Sequence, residues 1–378
     1  MDLLGSIRPL IYFWKTSSRE IYLRSGTAYS AIEEVGESMI FRRGNYPYLV
    51  ARVRAMKGRL LKRDVYGRLM GMGLKDIIRF IGETDYKKEI DELAGKYSGI
   101  DLLEKALNLN LGRTINKLIK ISTGDARRKI VAYSSKYEVI NVRNIIVGVG
   151  RGLPIEEIEK SLVPVEAEPL EMEFDIYGLL KMNLSEIRDE LGRHRDYRAV
   201  AERKSLVEME EELIRLYYER LASGFSGRSR EDRIVREVVS TEIDARNIMT
   251  VLRMKADGAT PREIRWRLIE NGAIPRKEME LLIREEFDEI LKHLKNYPFF
   301  QYIKEGIEKR DLSKIEQGLK RYILKKAEKL AYYRPISILP VINYLMRKEN
   351  EVSNLRLIAR GKELNLREDL IRENLVVV

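Results

Sequence analysis

The sequence predicts an all-α protein, and three observations carry that prediction. Apolar residues recur at three- and four-residue intervals along most of the chain, no stretch keeps the strict alternation of a half-buried strand, and one helical pattern is written three times at intervals of about a hundred residues. The repeat has two landmarks. The first is an apolar-periodic run ending in tyrosine, found at 69–86, 179–197 and 287–297, which places Tyr86, Tyr197 and Tyr297 at spacings of 111 and 100 residues. The second is Ile140-Asn-Val-Arg-Asn144-Ile145, echoed by Ile243-Asp-Ala-Arg-Asn247-Ile248 and more distantly by Val352-Ser-Asn354-Leu-Arg356-Leu357. Aligned on Asn144, Asn247 and Asn354, these motifs lie 103 and 107 residues apart. The two landmarks divide the chain into helical units at 44–165, 166–275 and 276–378.

Residues 1–43 stand outside the pattern. They mix serine, glycine and aromatic residues without a period, and Met39 sits just ahead of the regular part. The expectation is an N-terminal extension that is poorly ordered or an artefact of the chosen start codon.

From Asn45 onward each element has its own signal. Tyr48, Leu49, Arg52, Val53, Met56, Leu60 and Leu61 fall on one helical stripe. A second helix is expected at 101–122, buried through Leu103, Leu107, Leu111, Ile115 and Leu118, with Asp101 as N-cap. Gly124 interrupts the period, and a helix at 125–147 is expected to end in the turn Gly148-Val-Gly150-Arg-Gly152. Pro154 and the glutamates after it open a short helix at 155–162. Beyond the rigid connector at 164–169, unit two places a long helix at 205–222, a glycine- and serine-rich loop at 223–229 and a helix at 261–268. Unit three is expected to hold helices at 287–297, 315–330, 336–348 and 354–361.

Composition narrows the chemistry. The 378 residues are 44% hydrophobic, which suffices for sizeable cores, and no apolar run approaches the roughly 20 residues of a membrane helix. The run from Arg8 to Trp14 is too short for a secretion signal. With no cysteine and only His194 and His293, disulfides, thiolate catalysis and cysteine-based metal sites are excluded. The glycines at 148, 150 and 152 lack the spacing and preceding strand of a dinucleotide fingerprint. The repeated Arg-Asn pairs are more informative. An asparagine inside an apolar-periodic helix lowers helix propensity, so its repetition implies a recurrent hydrogen bond, within each unit or to a partner on the same face.

The stretch Asn45-Tyr-Pro-Tyr-Leu-Val-Ala-Arg-Val-Arg-Ala-Met-Lys-Gly-Arg-Leu-Leu61 resembles the opening of the C subunit of archaeal A-type ATP synthases, a family related to the d subunit of the eukaryotic V-type ATPase. Ser240-Thr-Glu-Ile-Asp244-Ala-Arg-Asn247-Ile, Gly318-Leu-Lys-Arg-Tyr-Ile-Leu-Lys-Lys-Ala327 and Asn354-Leu-Arg-Leu-Ile-Ala-Arg360 support the resemblance, which spans residues 44–378. Val50 stands where that family usually has asparagine. The resemblance implies three homologous helical subdomains with pseudo-threefold symmetry, forming a funnel-like socket. It further implies a peripheral subunit on the cytoplasmic face of the membrane that joins the central stalk to the proteolipid ring, without catalysis, cofactor or metal. Partner contacts are then expected at Arg52, Arg54, Lys57, Arg143, Asn144, Arg246, Asn247, Asn354 and Arg356. The net charge of +11 leaves a second reading, a basic helical-repeat protein that binds nucleic acid with strongly salt-dependent affinity.

Overall fold

A computed structural model describes residues 44–166, 175–227 and 229–378. The N-terminal extension expected at 1–43 lies outside them, as does the end of the 164–169 connector. All regular structure among the described residues is helical, in agreement with the expected fold class. The first part comprises α1 (Tyr46–Lys57), α2 (Arg63–Met70), α3 (Leu74–Ile81), α4 (Lys87–Leu93), α5 (Gly99–Lys120), α6 (Gly124–Gly150) and α7 (Ile155–Lys160). After a 3-10 turn come α8 (Leu184–Arg193), α9 (Arg198–Ala201), α10 (Leu206–Gly224), α11 (Arg230–Ala256) and α12 (Pro261–Arg267). The last part holds α13 (Arg276–Arg284), α14 (Phe287–Leu294), α15 (Phe300–Glu308), α16 (Leu312–Tyr333), α17 (Leu339–Glu363) and α18 (Glu368–Glu373).

Several helices start where a side chain satisfies the free N–H groups of the first turn. Asn183, Ser205 and Thr260 form capping boxes with Glu186, Glu208 and Glu263, and each such cap contributes about 1 kcal/mol. Asp101 is not the cap of α5, because that helix begins earlier, at Gly99. Asp101 lies in its first turn and pairs with Lys160 at 2.7 Å.

Three long helices, α6, α11 and α17, organise the rest. Each carries a shorter helix from the segment that follows it in a circuit: α10 packs on α6, α16 on α11, and α5 on α17. The last pairing connects the two ends of the chain, since α17 also packs against α1 and α3. The long helices end alike. Gly152, Gly258 and Asn365 take left-handed φ values of 68°, 73° and 53°. The following N–H groups, of Leu153, Ala259 and Leu366, donate back to the carbonyls of Gly148, Met254 and Gly361 at 2.9, 2.8 and 2.8 Å. This turn satisfies carbonyls that would otherwise face nothing, and it needs a residue that tolerates positive φ.

Two departures from the expected elements bear on packing. The helix at 125–147 runs on to Gly150. Gly148 is a packing glycine, because an added Cβ would stand 2.5 Å from the Ile158 side chain of α7. The helices expected at 336–348 and 354–361 are one helix, α17. The polar run Glu349-Asn-Glu351 between the two expected helices points into neighbouring elements, with Asn350 donating to the Val376 carbonyl at 2.7 Å.

The apolar core is in two parts. One cluster spans Leu49 to Ile243 and resumes at Ile269 and from Leu324 to Val376, while a second occupies Ala245 to Leu319. Replacing Gly148 by valine should force α7 away from α6 and lower stability by about 1–3 kcal/mol, which chemical denaturation would measure.

Candidate functional site

Each long helix carries a buried asparagine that clamps the chain 22 residues further on with two hydrogen bonds. Asn141 donates to the Val163 carbonyl at 2.7 Å and accepts the Val163 N–H at 2.9 Å. Asn247 does the same with Ile269 at 2.8 and 2.9 Å, and Asn354 with Val376 at 2.9 and 3.2 Å. The structural register is therefore Asn141, Asn247, Asn354: adding 106 to 141 gives 247, and adding 107 gives 354. Asn144, which the sequence motif aligned with Asn247, lies outside this register and makes only a partly exposed bond to the Ser161 carbonyl at 3.2 Å. Spacings of 106 and 107 residues lead to Asn141, whereas the shared Arg-Asn dipeptide leads to Asn144.

The same register places one carboxylate on each long helix at the junction with the next segment: Glu138, Asp244 and Glu351. Tyr197 donates to Glu138 at 2.6 Å, and Arg220 holds the other oxygen at 2.9 Å while its guanidinium lies over the Tyr197 ring. Tyr86 donates to Glu351 at 2.7 Å, with Lys348 at 3.1 Å from the carboxylate and 3.9 Å from the Tyr86 ring centroid. Burial, more than the adjacent carboxylates, holds both phenols well above their usual range. They are donors at any physiological pH.

The third junction is built differently. Asp244 is one methylene shorter than its counterparts, and it accepts the N–H groups of Ala273 and Ile274, both at 3.0 Å. Tyr297 turns to Glu278 instead. Lys326, which takes the register of Arg220, pairs with Glu237 at 2.9 Å and donates to Thr241. A cavity of about 510 Å³ remains beside Asp244, lined among others by Asn247, Arg265, Ile269 and Met279. Burial pushes the Asp244 carboxyl up to about 6, against the opposing effect of its two backbone donors.

A further ring of ion pairs ties each long helix to its neighbour. Arg143 meets Glu210 at 2.7 Å, Arg253 meets Glu316 at 2.6 Å, and Arg360 meets Glu104, where Arg356 also approaches at 3.9 Å. Glu104, Glu210 and Glu316 share one register. Arg356 also donates to Asn108 at 2.7 Å. Of the residues expected to face partners, Arg143, Asn247, Asn354 and Arg356 thus make contacts inside the protein, and Lys57 reaches Glu328 at 3.4 Å and Asn343 at 3.3 Å. Arg52 and Arg54 are exposed on α1, and Arg246 is half-buried on α11; none of the three forms an ion pair among the described residues.

Midway along the long helices lie Lys136, Glu242 and Glu349, again one register apart. Lys136 binds Glu349 at 2.6 Å, whereas burial pushes the Glu242 carboxyl up to about 7 despite Lys136 nearby. Sequence reading passed over these residues, because each is an ordinary charge within an amphipathic helix.

These features define an all-helical repeat protein whose buried polar groups hold successive segments together. Among the described residues no group of histidine and carboxylate side chains is placed to hold a metal, and no helix is long and apolar enough to cross a membrane. The family model of the ATP synthase (C/AC39) subunit matches residues 49–374. The chain is 37% identical over 362 residues to the A-type ATP synthase C subunit of Methanococcoides burtonii, an alignment covering 94% of this chain and 99% of that one. It is 35% identical to the corresponding subunit of Methanosarcina mazei, over 88% and 93% of the two chains. With that of Archaeoglobus fulgidus it shares 34%, over 90% and 99%. The chain belongs to the ATP synthase (C/AC39) subunit family.

Two outcomes follow from the junctions. Tyr86→Phe and Tyr197→Phe should each cost about 1–3 kcal/mol in equilibrium unfolding, because a buried carboxylate loses its donor, and Tyr297→Phe should cost clearly less. Asp244 and Glu242 hold protons more tightly when folded than at their ordinary values of 3.8 and 4.5. The stability they contribute is therefore complete below about pH 4 and is lost as pH rises through about 6 and 7. Melting temperatures measured from pH 4 to 8 should fall less steeply for Glu242→Gln than for the unaltered chain.

Proposed function

We propose that this chain is the rotor-coupling subunit of an archaeal A-type rotary ATP synthase, joining the central stalk to the proteolipid ring from the cytoplasmic face of the membrane. In this reading, subdomains at 44–165, 166–275 and 276–378 stand around a pseudo-threefold axis and form a socket. It transmits torque without carrying out chemistry. What supports the reading most is the circuit of contacts in which α6, α11 and α17 each carry a helix of the following segment, with α17 returning to the start of the chain. A closed circuit resists shear because no segment moves without straining two junctions, and densely packed interiors transmit strain rather than absorb it. The name its relatives carry, that of an A-type ATP synthase C subunit, agrees with it.

The net positive charge does not favour the nucleic-acid reading. Arg143, Arg253, Arg356, Arg360 and Lys57 are held against carboxylates of the protein itself, where they are poorly placed to meet phosphates.

The purified full-length chain should capture the central-stalk subunits of its own ATP synthase in a pull-down and should not hydrolyse ATP; turnover by the isolated chain would overturn the proposal. Substitution of Arg52, Arg54 or Arg246 by alanine should weaken capture by about tenfold without changing the melting temperature, as expected for an interfacial charge. Arg143→Ala and Asn247→Ala should act in the opposite way, lowering stability first.

A further inference from the structure

We infer that Glu242 is the seat for a basic side chain of the protein that enters the space between α6, α11 and α17. This rests on the rotor-coupling reading and specifies the chemistry of its grip. Lys136, Glu242 and Glu349 occupy one register on the three long helices; Lys136 and Glu349 are in direct contact, and Glu242 lies within electrostatic reach of both. Two of the three neutralise each other. Lys136 lies 2.6 and 2.7 Å from the two oxygens of Glu349, and Tyr137 also donates to Glu349. Glu242 is left with no hydrogen-bond or ion-pair partner among the described residues.

The surroundings point to a cation as its missing partner. The Lys136 and Glu349 side chains are 15% and 27% exposed, so this level of the long helices is open to solvent. Two buried phenols beside it, Tyr133 and Tyr217, have hydroxyls without a partner, and both respond to the charges of Glu242 and Glu349. The remaining ionisable groups facing the region do not supply the counterion. Lys320 of α16 reaches Ser353 at 3.4 Å, Arg246 on the same helix as Glu242 forms no ion pair, and Tyr218 of α10 is a neutral phenol. An anion would meet two carboxylates here. A lysine or arginine would pair with the unsatisfied one and has further N–H donors to offer the two phenolic oxygens.

A cation seated on Glu242 requires its carboxylate form, so binding is coupled to proton release. Burial holds the free carboxyl near 7, so a large fraction is protonated at pH 6.5. Titration calorimetry of the full chain with its purified central-stalk subunits, in two buffers of different ionisation heat at pH 6.5, should show release of up to about one proton. Affinity should rise between about pH 5.5 and 7.5, by about tenfold for each unit by which the partner lowers the Glu242 pKa. Glu242→Gln should abolish both the release and the pH dependence. Binding without proton release, or a Glu242→Gln chain that behaves like the original, overturns the seat while leaving the rotor reading intact. No binding at any pH overturns the rotor reading and the seat with it. If Glu242→Gln does not fold, proton release by the unaltered chain decides the matter alone.

Discussion

Glu138, Asp244 and Glu351 are enclosed by protein at the middle of the long helices, and a carboxylate so placed costs several kcal/mol unless donors surround it. For two of them the donors come from the segment that packs next, Tyr197 and Arg220 for Glu138, Tyr86 and the Leu61 N–H for Glu351, whereas Asp244 takes two backbone N–H groups of its own unit. Apolar packing alone would let neighbouring segments slide. A buried charge that only one arrangement satisfies fixes how each long helix meets the next part of the chain, and the asparagine clamps and the glutamates of the arginine pairs keep the same register.

The helical class and the repeat were legible in the sequence because periodicity is a local property, and most expected helices are present with boundaries moved by a few residues. The junctions were not, because their partners are far apart in sequence. Tyr86 and Glu351 are separated by 265 residues, and nothing local to either names the other. The tyrosine landmark was visible at all three positions, yet Tyr297 carries a different contact, since one methylene less at Asp244 redirects it. Asn144 shows the opposite failure: a matching dipeptide points to it, whereas spacings of 106 and 107 residues lead to Asn141. Glu349, Asn350 and Glu351 lie between two expected helices that are one in the structure; a polar run at a buried junction has the same composition as one in a loop.

The circuit is uneven. Two junctions close on buried tyrosines, while the third leaves a cavity and coincides with the division of the apolar core at residues 243 and 245. Elements α12 to α15 therefore depend on a smaller core of their own and on α16, which packs against both α11 and α17. Under the proposed rotor role, load would not be shared equally among the three. The segment near Asp244 would yield first.

The return of α17 to α1, α3 and α5 also sets the order in which the molecule becomes complete during synthesis. A ribosome delivers about 5–20 residues per second, so Glu351 emerges on the order of tens of seconds after Tyr86. Throughout that interval Leu49, Val53 and Ile77, which are shielded in the finished protein, face the cell without their cover. The earliest segment made is thus the last to be protected. Its apolar surface stays open to other chains until translation reaches the final long helix.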